Sequence, residues 1–139
     1  MHDVNVIIGE TSFSAKFEFD RAPRTCAAFQ SSLPFLSKLV QARWSGFSMW
    51  IPLGDREFDV EYEAPISYPA PGQILLYPGG VSEVEILIPY GPTRFACKAG
   101  QLAGNHFLTI INDEEELKII GEQVLWEGAL PVRFEEHLK

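Results

Sequence analysis

Cysteine, histidine and basic charge are all in short supply in this chain, and each shortage excludes something. Only two cysteines, Cys26 and Cys97, occur in 139 residues, with no CxxC pair between them. They cannot form a disulfide framework and read as reduced residues of a packed interior. The three histidines, His2, His106 and His137, stand far apart without HxH or HExxH spacing, so the sequence spells out no zinc site. Neither a metal nor a cofactor is expected. Lys and Arg number 11 against 19 Asp and Glu, a net charge of −8. Such a balance argues against a nucleic-acid partner, which needs a basic surface, and against an anionic membrane surface. No run approaches the ~18 apolar residues of a membrane-spanning helix. The opening MHDVNVIIGE has neither the basic nor the apolar region of a signal peptide, so the cytoplasm is the expected compartment. There is no internal repeat and no low-complexity tract.

What the chain does have is an ordinary globular composition, 46 % hydrophobic and 22 % charged, with 10 prolines and 11 glycines to make turns. Its length suits one domain spanning residues 1–139. DVNVIIG (3–9) is β-branched, and SFSAKFEFD (12–20) alternates, with Phe13, Ala15, Phe17 and Phe19 on one face. Together they read as a β-hairpin. In RAPRTCAAFQSSLP (21–34) the period changes. Ala22, Cys26, Phe29 and Leu33 recur at helical spacing, with Pro23 suited to the first turn and Pro34 ending the segment.

Strand character returns in LSKLVQARW (36–44) and, after a bend at Ser45-Gly46, in FSMWIP (47–52). The Pro-rich stretch 54–72 reads as a long loop with an edge-strand fragment. QILLYPGG (73–80), VEILIPYG (84–91), NHFLTIIN (105–112) and ALPVRFEE (129–136) are further strands, and 91–104 is a loop of small residues. Asp113 to Glu116 places carboxylates in the first turn of a short helix, with capping-box spacing and a fraying point at Gly121. Seven or eight short strands with two short helices make a mainly β barrel or sandwich, the helices being enough to plug two barrel ends.

Several segments are similar to cyclophilins. APRTCAAF (22–29) resembles their first-helix motif, ARWSGFSMWIPLGD (42–55) the segment that carries their Arg and Phe-Met pair, GNHFLTI (104–110) a central strand, and IIGEQVLWEG (119–128) a late one. PAPGQILLYPGG, EILIPYGPTRFA and GQLAGNHF together look like a compact bacterial group with a cyclophilin-like fold and no assigned function. This resemblance implies a closed eight-stranded barrel capped by two short helices. It also places Arg43 where the catalytic Arg of cyclophilins lies and Met49 where their pocket Met lies. Phe47 falls one position early, Ile51 stands where a Gln would be, and Leu108 where a second pocket Phe would be. DEEELK (113–118) occupies the place of the pocket Trp and His. A peptidyl-prolyl isomerase, weak or degenerate, is therefore an alternative and not the first reading.

No catalytic residue is nominated from the sequence. On strand alternation Ala42 and Trp44 share one face and Arg43 takes the other; if Trp44 faces the barrel interior, Arg43 emerges on the outer wall, where its planar fork could meet a carbonyl or carboxylate. A surface pairing of Arg43 with Glu83 or Glu85 is the plainer alternative. Glu83 and Glu85 lie two apart and read most simply as a solvated strand face. Asn105 and His106, at the mouth of a strand, could offer donors to a ligand, or could simply bond neighbouring backbone. Tyr90 and Trp44 supply aromatic surface. The resulting expectation is a small molecule or short peptide bound in an outer-wall cleft, with Arg43, Trp44, Met49, Glu83, Tyr90, Asn105 and His106 as candidate contacts. A structural subsidiary role as a homo-oligomerising subunit is the third class.

Overall fold

In the computed structural model, which describes residues 2–138, eight antiparallel strands close into a barrel. The strands are β1 (Val4–Ile8), β2 (Thr11–Phe17), β3 (Phe35–Gln41), β4 (Gly46–Gly54), β5 (Gln73–Tyr77), β6 (Val84–Thr93), β9 (Asn105–Ile110) and β10 (Leu130–Glu136). Around the barrel they run β1-β10-β3-β4-β6-β5-β9-β2, and β2 returns to β1. Two short strands, β7 (Ala96–Cys97) and β8 (Gly100–Gln101), form a separate hairpin. The two helices are α1 (Pro23–Ser31) and α2 (Glu114–Glu127). A mainly β, eight-stranded closed barrel with two helices is thus the fold.

The alternation in β2 sends Phe13, Ala15 and Phe17 into the interior. Phe19 lies beyond the strand end and is exposed, its ring tilted against that of Phe17 with centroids 5.3 Å apart. Helix α1 begins with Pro23, as its fixed φ favours. It delivers Phe29 into an aromatic cluster with Phe35, Phe107 and Phe134 at one end of the barrel. Helix α2 packs on β3, β4 and β6, with Leu117, Ile120 and Val124 buried.

Gly121 is no fraying point: the helix runs on to Glu127. A Cβ at Gly121 would come 2.2 Å from Cγ of Tyr90, so the missing side chain lets the ring lie against the helix backbone. Asp113 does not cap α2 in the expected way either. It adopts a left-handed conformation, φ 55°, and its side chain bonds none of the helix amides.

The barrel has a second apolar layer on its outside. Ile86, Ile88 and Tyr90 of β6 belong to the interior cluster, while Leu87 points outward and joins Ala42, Leu75, Tyr77, Phe95 and Leu102. The segment 93–104 lies over this outer face. Phe95 meets Tyr77 edge-on at 5.7 Å, and Ser45 Oγ both donates to the Ala96 carbonyl and accepts from the Ala96 amide. One stretch of barrel wall is therefore buried on both faces. That accounts for VEILIPY reading as a continuous apolar run and not as an alternating one.

Candidate ligand-binding site

The edge of that outer layer leaves a cavity of about 290 Å³. Its walls come from three places: the β3–β4 turn with Arg43 and Trp44, the barrel wall with Trp50 and Glu85, and the β7–β8 turn with Cys97 and Lys98. Strand β3 ends at Gln41, earlier than the sequence pattern suggests, so residues 42–45 form a turn. Trp44 accordingly does not enter the barrel. It is 47 % exposed, and the Arg43 guanidinium lies 5.1 Å from its ring centre. Arg43 does reach the outer wall. Among the described residues no ion pair joins it to Glu83 or Glu85.

Glu85 is the unusual group. It sits on β6 opposite Tyr77 of β5 and Pro52 of β4, facing the cavity and only 6 % exposed. Its side chain makes no hydrogen bond and no ion pair among the described residues. Burial, aided by the nearby negative charge of Glu83, pushes its carboxyl up from 4.5 to about 8. A carboxyl in that state is mostly protonated at neutral pH and has spare bonding capacity on both oxygens. The expectation of a solvated strand face fails for Glu85 because segment 93–104 covers the wall. Glu83 precedes β6 and is exposed, and it lines a different cavity.

The other candidates are dispersed. Met49 points into the barrel, fully buried in the interior cluster, and touches no cavity of the outer wall. Tyr90 is buried beneath α2, its hydroxyl donating to Gln41 Oε1 at 2.7 Å, and borders a groove shared with Phe47 and Lys118. Asn105 is fully committed to structure. Its amide donates to the Glu61 carbonyl at 2.8 Å and to Thr25 Oγ1 at 3.1 Å, and its Oδ1 accepts from the Glu63 amide at 2.8 Å. Glu63 in turn caps α1 from outside the helix, accepting from the Arg24 and Thr25 amides and from Thr25 Oγ1. Burial alone would raise the Glu63 pKa, but the bonds from Thr25 and Arg24 outweigh it and hold the carboxyl below its usual range.

His106 faces a third part of the wall. Its Nε2 bonds Thr109 Oγ1 at 2.7 Å, and that hydroxyl donates to Glu18. Burial holds the imidazole below its ordinary pKa against the pull of the Glu18 charge. So Arg43 and Trp44 come together, while Met49, Glu83, Tyr90, Asn105 and His106 lie elsewhere. Trp50, Lys98 and Glu85 line the cavity but are not among the candidate contacts drawn from the sequence, where Glu85 figures as a surface partner for Arg43. For Glu85 the available signal is a carboxylate near the start of an apolar run, VEILIPY, that is too continuous to have a wet face. Among the described residues no three His, Cys, Asp or Glu side chains converge as metal ligands, and no helix is long and apolar enough to cross a membrane.

The fold is a closed eight-stranded barrel with a small, largely apolar pocket on a stretch of outer wall that is covered on both faces. A family model described as "Protein of unknown function (DUF3830)" matches residues 4–136, and the chain belongs to that family. No curated protein matches it. Among solved structures it is similar to "Structure of McbB in complex with tryptophan", with a TM-score of 0.77 at 17 % identity. That similarity covers 98 % of this chain and 45 % of the McbB chain, so the protein spans less than half the length of that neighbour. At such identity the likeness shows the fold alone.

Proposed function

We propose that this protein binds a small molecule bearing an amine, a carboxylate and a flat apolar body, an aromatic amino acid being the simplest example. The observation that carries the reading is Glu85, buried, without a partner and facing a cavity. An ammonium beside it would supply the missing hydrogen bonds and favour the carboxylate form. Arg43 and Lys98 stand on the rim of the same cavity, where either can meet a ligand carboxylate, and Trp44 and Trp50 offer ring faces to a flat body. A cavity of about 290 Å³ suits a ligand of that size. The neighbour McbB has been seen with tryptophan, a molecule of this chemistry.

We also read the barrel as cyclophilin-like, on the motifs described above. A cyclophilin-type proline pocket is not what the cavity offers, since Met49 is sealed in the barrel and Arg43 lies in a turn.

Calorimetric titration with tryptophan, tryptamine and indole-3-propionate tests the reading. Glu85→Gln should weaken tryptophan and tryptamine by about tenfold or more, the scale of one charge-assisted hydrogen bond, and leave indole-3-propionate unchanged. Arg43→Ala should weaken the two carboxylates and spare tryptamine. Tryptophan that shows no heat or NMR shift at millimolar concentration, or that binds Glu85→Gln as well as the native protein, contradicts it.

A further inference from the structure

The outer-wall cavity has a neighbour. A larger space of about 580 Å³ opens at the barrel end beside it, and Ser82 lines both. The larger space has an apolar floor of Leu76 and Val84, and around it stand Asp55, Glu57, Asp59, Glu61 and Glu83 with Arg24 as the one basic side chain. The charge of the two spaces is opposite in character. The smaller has Arg43 and Lys98 on its rim with Glu85 in its wall, and the larger is ringed by five carboxylates.

Glu83 in the acidic space is close enough to raise the pKa of Glu85 in the other. Glu85 lines only the smaller space, whose rim carries Arg43 and Lys98, and Ser82 is the residue that joins this space to the acidic one. The loop between the spaces is held in place, since Tyr77 Oη accepts from the amides of Val81 at 2.9 Å and Ser82 at 3.2 Å.

Building on the ligand reading above, we infer that the two spaces form one extended site for a short peptide that has an aromatic C-terminal residue preceded by a basic one. The terminal carboxylate meets Arg43 and Lys98, and the aromatic side chain lies against Trp44 and Trp50. The peptide N–H, in place of the free amine of an amino acid, donates to Glu85. The basic side chain and the N-terminal ammonium pass Ser82 into the acidic space. Acidic residues alone would only indicate a solvated face. Here they adjoin a built anchor, the unpartnered carboxyl of Glu85, and continue its cavity.

The test compares tryptophan, lysyl-tryptophan and glutamyl-tryptophan by calorimetry on the native protein, on Glu85→Gln and on the double variant Glu57→Gln/Glu83→Gln. Lysyl-tryptophan should bind about tenfold or more tighter than glutamyl-tryptophan, the joint effect of two solvent-touched charge contacts. That ratio should shrink toward unity in the double variant and at high salt, because exposed charges are screened. Equal affinity for the two dipeptides, with both still weakened by Glu85→Gln, overturns the extended site and leaves the amino-acid reading standing. Loss of the lysyl preference in Glu85→Gln alone, with the double variant unaffected, also overturns it. Failure of tryptophan and both dipeptides to bind overturns this inference together with the reading beneath it.

Discussion

Asn105 and Glu85 are both buried polar residues on barrel strands, and they are treated in opposite ways. Around Asn105 every polar atom is used: one side chain ties β9 to the loop at Glu61 and Glu63 and to Thr25 of α1. Glu85, five strand residues upstream of Tyr90, is buried to a similar degree and ties nothing together. A buried polar group without a partner costs stability. The first region uses its polar residues to pin an 18-residue stretch, 55–72, that has only a bridge at Ile66 for secondary structure. The second holds one in reserve. The contrast teaches that burial alone does not mark a candidate ligand contact: Ser48 Oγ is also buried without a partner but lines none of the cavities described above, whereas Glu85 lacks a partner and faces one.

Substitution at the two positions should therefore give opposite signs. Asn105→Ala should have the largest effect, a loss of about 3 kcal/mol in denaturant unfolding, because it leaves the Glu61 carbonyl and the Glu63 amide without partners. Glu85→Leu should raise stability at pH 7 by about 1 kcal/mol, since it removes an uncompensated buried carboxyl of similar volume. A comparable loss at both positions would erase the contrast.

The pH dependence sharpens it. The folded-state pKa of Glu85 is raised, so its contribution is fully present below about 4.5 and is lost progressively as pH rises toward about 8, after which it is flat. Glu63 behaves in the reverse sense. Its folded pKa is lowered, so its contribution is present above the ordinary carboxyl range and is lost as pH falls through the folded value. Thermal melts from pH 3 to 9 should show both limbs, with Glu85→Gln abolishing the alkaline-side decline and Glu63→Gln reducing the acid-side one. Smallest of all, Arg43→Ala should change stability by less than about 0.5 kcal/mol, because its guanidinium lies over an exposed ring and has no ion-pair partner among the described residues. The same variant and the native protein should give indistinguishable exchange rates on Xaa-Pro peptides by NMR, and catalysis that depends on Arg43 would restore the isomerase alternative.

Much of the fold was legible in the sequence. Strict alternation in β2 and the 3.6-residue period of Ala22, Cys26 and Phe29 arise from local burial on one face, which a linear pattern records. The closed eight-stranded barrel is what the family resemblance implies, whereas periodicity alone leaves barrel and sandwich open; neither yields the strand order. Legibility failed where a distant segment covers a surface. Alternation sets Trp44 and Arg43 on opposite faces of one strand, but the chain turns at Ala42 and the alternation stops applying. For Glu85 the continuous apolar run hints that the wall is covered, but the covering segment, 93–104, is not identified by any local pattern. Gly121 read as a weak point because its reason, the Tyr90 ring, comes from 31 residues earlier in the chain. The site depends on these long-range contacts, so it was less visible than the barrel that carries it.

The most direct test is an NMR titration of the Glu85 side-chain carboxyl carbon with and without tryptophan. The account requires a pKa near 8 in the free protein and a fall of a unit or more when the ligand's ammonium takes its place beside the carboxylate. An ordinary carboxyl pKa that tryptophan leaves unmoved would contradict it.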